Sequence, residues 1–182
     1  MSSSYEDLII EGREEVALSL QNKWVGSKNE DMKKASTTTL GNFGENTLVK
    51  IFKRHGLKAE RVNKGIGEFD ILVDGTITLE GKTATEDTSD GFQWNGIKKI
   101  GAEYDYVICL GVGPNDFYIN MWPKEYCVDN LTTTMAKDAP DGFKLSGGTR
   151  SSKWPVYLLN EENFENYIIN EIYFHKSTKE IV

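Results

Sequence analysis

Cysteine and histidine are nearly absent from this chain, with two of each in 182 residues. Cys109 and Cys127 lack the spacing of a metal knuckle. Cys109 sits inside the apolar run Tyr106-Val107-Ile108-Cys109-Leu110, which predicts a buried thiol in a reducing, cytoplasmic setting. With only His55 and His175, a histidine-rich zinc site is excluded. Proline is scarce too, at four residues, and with 38% hydrophobic and 27% charged residues the composition is that of a folded chain without long disorder. No apolar run approaches the roughly 20 residues that span a bilayer. The opening Met1-Ser2-Ser3-Ser4-Tyr5-Glu6-Asp7 has neither a basic leader nor an apolar core, so neither secretion nor a membrane role is expected.

Positive charge is also in deficit. The formal net charge is -7, which argues against a polyanionic partner, because nucleic-acid binding draws on Lys and Arg at phosphates. The basic residues are clustered, however. Lys50, Lys53, Arg54, Lys58, Arg61 and Lys64 fall within fifteen positions, and Lys144, Arg150 and Lys153 group near the end.

The length suits one hydrophobic core, so residues 1–182 are expected to form a single domain. Tyr5 to Trp24 reads as a helix, with Ser4 and Asp7 spaced as a capping box and Ile9, Val16, Leu20 and Trp24 as a broken apolar stripe. Residues 25–39 are polar and predict a surface loop. A second helix is expected from Gly41 to His55, with Leu48, Ile51, Phe52 and His55 in register and Gly56 as its stop. Leu57 to Val62 predicts a short strand, and Glu68 to Val73, Asp74-Gly75 and Thr76 to Thr83 predict a hairpin. Residues 85–91 follow as loop and Phe92 to Ala102 as a helix with Ile97 and Ile100 inward. Tyr104 to Leu110 reads as a central strand covered on both faces, and Asp116 to Trp122 as its antiparallel neighbour. The connection through the 92–102 helix should then be a right-handed parallel crossover. Residues 128–153 predict an irregular or hairpin insertion and Trp154 to Leu159 a strand. Asn160 predicts the cap of a helix to about Glu171, with Phe164, Tyr167, Ile168 and Ile172 on one face.

Against this background the thirteen residues from Asp70 to Lys82 stand out. Phe69-Asp70-Ile71-Leu72-Val73 and Ile77-Thr78-Leu79-Glu80 are apolar runs, each interrupted by an acid. Period-two alternation points Glu80 and Lys82 the same way, and the hairpin brings Asp70 onto the neighbouring strand. On an ordinary hairpin Asp70 and Lys82 would form a surface ion pair. In apolar strands, unpaired charges cost several kcal/mol when buried, on the order known for broken ion pairs. Two such carboxylates repel unless a cation lies between them, and Mg²⁺ is the hard, oxygen-seeking ion they would select. An ion so held polarises a phosphoryl oxygen and acidifies a water, with Lys82 orienting that water and stabilising negative charge. Adjacent carboxylates favour its charged form over a general-base role.

Asp70 followed by Glu80-Gly81-Lys82 resembles the PD-(D/E)XK nuclease superfamily, and most of all a type II restriction endonuclease. Phe69 stands where that family usually has proline. The resemblance extends over about residues 41–122, with the N-terminal helix and residues 124–182 as additions for specificity or dimerisation. It implies an α/β fold of the α+β variant: a restriction-endonuclease-like core with a central mixed five-stranded sheet flanked by helices, and a C-terminal extension. It implies a Mg²⁺-dependent DNA endonuclease in which Mn²⁺ substitutes, with Asp70, Glu80 and Lys82 catalytic and Asp70 and Glu80 as ligands. It also draws attention to Glu45, on the inward face of the second helix, as a third ligand, although a first-turn glutamate also suits the helix dipole. Gln93 is a further site residue, or else a polar helix start. His55, at a helix end, is structural.

Duplex DNA and a homodimer matched to palindromic sites are the expected partners. The 25–39 stretch, with Lys33 and Lys34, and the 142–153 stretch, with Lys144, Arg150 and Lys153, are candidates for DNA contact, Arg150 for a guanine or a phosphate. Lys98 and Lys99, on or near the exposed face of the expected 92–102 helix, could touch phosphates or simply solubilise that helix, and Thr83 and Thr85 flank the site strand. A junction resolvase or repair nuclease, a nuclease-fold protein kept for binding or assembly, and a small α/β domain with an accidental motif are the alternatives.

Overall fold

A computed structural model describes residues 4–62, 69–87, 89–98, 103–131 and 142–179. Its architecture is a mixed sheet with helices on one face, and a small second sheet and a short helix on the other. Strands β1 (Ala59–Arg61), β2 (Ile71–Val73), β3 (Ile77–Thr85), β5 (Tyr106–Val112), β6 (Phe117–Pro123) and β8 (Tyr157–Leu158) form six strands in the order β1-β2-β3-β5-β6-β8. Among the described strands of this sheet only the β3–β5 pair is parallel. The remaining strands, β4 (Phe92–Ile97) and β7 (Phe143–Gly147), pair antiparallel as a separate two-stranded ribbon. The sheet is thus six-stranded rather than the expected five.

Helix α1 (Tyr5–Trp24) has the expected bounds, and Ser4 and Asp7 exchange hydrogen bonds as a capping box. Ile9 and Val16 are exposed, and Trp24 is buried in a small cluster with Leu40 and Val112. The stretch expected as loop holds α2 (Glu30–Lys34) and the first turn of α3 (Thr37–Arg54). Ser36 accepts from the Thr39 N–H and starts α3 four residues before Gly41. Three threonines, which are poor helix formers, disguise that turn in the sequence.

The Asp74-Gly75 turn forms as expected. Both residues have positive φ, 48° and 71°, and the Val73 carbonyl accepts from the Thr76 N–H. The two cores lie on opposite faces of the sheet. Leu48 and Phe52 of α3, with Phe164, Ile168 and Ile172 of the C-terminal helices, cover Ile71, Leu79 and Ile108. Those helices run as α5 (Glu161–Phe164), a π turn (Glu165–Ile169) and α6 (Asn170–Lys179). Asn160 caps them as expected, but Tyr167 lies outside the buried face and stacks on Tyr157 at 3.7 Å between ring centroids. His55 ends α3 and stacks on Phe164, a structural role.

On the other face, Phe92, Trp94 and Ile97 of β4 and Leu145 of β7 pack over Val107 and Cys109. The expected 92–102 helix is therefore a strand as far as Ile97, and residues 99–102 lie outside the described set. Phe92 and Trp94 alternate with Gln93 and Asn95, and Gly96, at φ 72°, ends the regular ladder in a bulge. The inserted element between the parallel β3 and β5 thus covers the sheet with aromatic side chains rather than with a helix. Helix α4 (Lys124–Asn130) was not expected either. Cys109 and Cys127 are both buried, and burial pushes both thiols up, that of Cys127 to about 12, which disfavours the thiolate that a nucleophile needs.

Candidate active site

The site arises because β2 is much shorter than β3. Past Leu79, the β2-side edge of β3 loses its strand partner. Asp70, one residue before β2, takes over. Its own N–H donates to the Leu79 carbonyl, and its Oδ2 accepts the Gly81 N–H, both at 2.9 Å. The carboxylate is therefore held by the backbone of the strand that carries Glu80 and Lys82. Beyond it the free edge opens into a cleft of about 630 Å³. The first turns of α3 form one wall with Thr37, Thr38, Asn42 and Glu45. Thr83, Thr85 and Asp87 form the floor, and Gln93 and Asn95 of β4 the opposite wall.

The helix can approach only because residue 44 is glycine: a Cβ there would lie 1.8 Å from Thr83 Oγ1. That crossing brings Glu45 over Gly81, where a Cβ would lie 3.6 Å from the Glu45 Cγ and 3.8 Å from the Asp70 carboxylate. Asp70 and Glu45 thus flank the Gly81 side of β3. Glu80 and Lys82 occupy the alternate side, as the strand period requires.

Glu80 is buried, at 8% exposure, and its Oε1 lies 2.5 Å from Lys82 Nζ. Burial raises its carboxyl above the ordinary range; the Lys82 charge opposes this and the Asp70 charge adds to it. Burial works to lower Lys82, but the charge and hydrogen bond of Glu80 outweigh it, with help from Asp70, and hold the ammonium above its usual value. Lys82 reaches the cleft, whereas Glu80 is not among the described lining residues. Glu45 is held by Arg61, which also donates to Asn42 at 2.8 Å and Asn46 at 3.3 Å. Nothing near position 61 in the sequence announces that partnership.

Among the described residues, no three of His, Cys, Asp and Glu gather as a ready ligand set. Asp70 and Glu80 nonetheless offer oxygen donors, the type that a hard divalent ion takes. Asp70 adds its negative charge beside Glu80, which Lys82 and, more weakly, Lys98 offset, and Asp70 favours protonation of the buried Glu80. A cation held between them would offset that repulsion.

The other expected residues are scattered. Gln93 is exposed on β4 and faces the cleft from a strand, directly opposite Ser146, instead of facing the sheet from a helix. Lys98 follows β4 half-buried, and its charge reaches Glu80; it is not on an exposed helix face. Lys99 lies outside the described residues. Lys33 lies at the rim, donating to Thr85 Oγ1 at 3.2 Å and the Glu86 carbonyl at 2.9 Å, while burial lowers its pKa. Lys34 pairs with Glu30 at 2.7 Å, and Arg150 with Asp90 at 3.0 Å. Lys144 and Lys153 line a second depression of about 270 Å³ with Ser146 and Ser151. Sequence reasoning missed Thr37, Thr38, Asn42, Asp87 and Asn95. Of these only Asn95 had a signal, its two-residue spacing from Gln93.

No family model and no curated protein matches the chain. Among solved structures, the bacterial homing endonuclease I-Ssp6803I is similar over 57% of this chain and 83% of its own, at 12% identity and a TM-score of 0.44. At that distance a functional reading has to stand on the geometry of the cleft itself.

Proposed function

We propose that this chain is a metal-dependent endodeoxyribonuclease that cuts duplex DNA at defined sequences, in the manner of a type II restriction endonuclease. The observation that carries the reading is the free edge of β3, where Asp70 is locked to the Gly81 N–H beside the buried Glu80–Lys82 pair at an open polar cleft. Asp70 and Glu80 are the proposed holders of Mg²⁺ or Mn²⁺, which when bound supplies Lewis acidity at a phosphoryl oxygen and acidifies a water.

Lys82 stays an ammonium through neutral pH, since its pKa is raised. It therefore orients the attacking water and stabilises charge developing on the phosphate, and it does not remove the proton. Asp70 is pinned by a backbone hydrogen bond, so it keeps its place when the ion arrives. Glu45 joins the ligand set only when it exchanges Arg61 for the ion. The threonines and Asn42 on α3 offer donors to the phosphate backbone. Cutting both strands from one site per subunit calls for two copies, so the reading includes a two-fold dimer on palindromic DNA.

The test is digestion of a long unmodified bacteriophage DNA in Mg²⁺ and in EDTA, beside Lys82→Ala. Discrete bands that need Mg²⁺ and vanish in the variant support the reading. A smear that vanishes in the variant removes the sequence specificity, and intact DNA in every lane, with branched substrates also uncut, removes the nuclease.

A further inference from the structure

We propose that the outward face of the β4–β7 ribbon reads base pairs in the major groove of duplex DNA, with Gln93 and Asn95 as its base-contacting amides. The inference rests on the nuclease reading for the identity of the ligand as DNA.

The ribbon has one apolar and one polar face. Phe92, Trp94, Ile97 and Leu145 point into the core, which turns Gln93, Asn95, Lys144 and Ser146 outward. Gln93 lies directly opposite Ser146. Between the Trp94–Leu145 and Ile97–Phe143 pairs, Asn95 and Gly96 together oppose Lys144, and the bulge re-aims Asn95. A plain solvent face would share this pattern. What sets this one apart is its position: Gln93 and Asn95 form the wall of the same cleft that Lys82 enters, so a duplex seated at Lys82 passes over them. On its β7 side the polar face runs into the depression lined by Lys144 and Lys153, which suits a phosphate.

The dimensions agree. Paired strands are spaced about 4.8 Å apart, and the major groove of B-DNA, roughly 12 Å wide, admits a two-stranded ribbon. Asn and Gln amides match the N6 and N7 positions of adenine in two hydrogen bonds. The deep, narrow major groove of A-form RNA excludes such a ribbon.

The experiment selects binders from a duplex DNA library with a randomised core, using wild-type protein with Ca²⁺ in place of Mg²⁺. The wild type is expected to enrich a short motif. Gln93→Ala and Asn95→Ala are each expected to lose roughly five- to hundredfold of preference at one position of it while keeping the rest. Gln93→Glu should move that preference from adenine towards cytosine, because a carboxylate only accepts. Lys144→Ala should weaken all sequences alike and flatten the salt dependence by about 0.9 of a unit of slope. Unchanged urea midpoints confirm that these surface variants fold. An unaltered motif in both alanine variants overturns the proposal, as does a wild type that enriches nothing. If a motif is enriched and is altered in the alanine variants but Mg²⁺ produces no cleavage, the ribbon stands and the nuclease reading falls. If Mg²⁺ produces cleavage but no motif is enriched, the nuclease stands and the ribbon falls.

Discussion

Replacing Lys82 by methionine leaves Glu80 buried with its cation gone. In the native protein the two groups are 2.5 Å apart and both are largely shielded, with side-chain exposures of 20% for Lys82 and 10% for Glu80. Breaking a buried pair from one side costs about 3–5 kcal/mol, and the residual exposure of Lys82 places this case near the lower figure. With a urea slope of about 1–3 kcal/mol per molar, the midpoint at pH 7 should fall by about 1–3 M in metal-free buffer. The loss must depend on pH. Glu80 already has a raised pKa from burial, and removing Lys82 raises it further. An acid whose folded pKa exceeds its unfolded value binds more protons when folded, so its ionisation opposes folding. The variant's deficit should therefore be small at or below the unfolded pKa, near 4.5. It should grow as pH rises through the folded value. Glu80→Gln combined with Lys82→Met should recover most of the stability, because no charge is then stranded. Urea titrations of the three proteins at pH 5 and pH 7 check this. A Lys82→Met deficit that is absent at pH 7, or identical at the two pH values, refutes the assignment of an ionised Glu80 held by Lys82.

Further substitutions separate structure from chemistry. Asp70→Asn keeps an acceptor for the Gly81 N–H and should fold as stably as the parent, whereas Asp70→Ala should lose about 1 kcal/mol or more; DNA digestion should be abolished in both. Retained cleavage by Asp70→Asn would count against its role as a ligand. Gly44→Ala drives a methyl into Thr83 and should cost about 1–3 kcal/mol in urea unfolding, partly relieved by Thr83→Ala. Arg61→Ala frees the Glu45 carboxylate and should tighten Mg²⁺ binding several-fold by calorimetry; unchanged affinity would mean that Glu45 takes no part.

The hairpin and the first helix were legible because their determinants are local. Asp74-Gly75 dictates a turn whose φ values few other residues adopt, and Ser4 and Asp7 satisfy the N-terminal amides of α1 from three residues apart. The alternation of Glu80 and Lys82 about Gly81 is likewise a property of any strand, and so is their common side. The 92–102 segment misled for a related reason. Ile97 and Ile100 fit a helical period, while the strand is dictated by Phe92 and Trp94 finding the apolar face of β5, a partner remote in the chain.

By itself, then, the order of residues determined which side chains share a face of β3, where the hairpin turns, and that two acids interrupt apolar strands. Only the tertiary structure decided what each acid faces: Gly81 N–H for Asp70, Lys82 for Glu80, and Arg61 for Glu45. It also decided that Gln93 and Asn95 form a wall of the cleft. Periodicity and turn geometry act over a few residues and are written in sequence. The partner of a charge is chosen by whichever distant segments the packing of two cores brings alongside it.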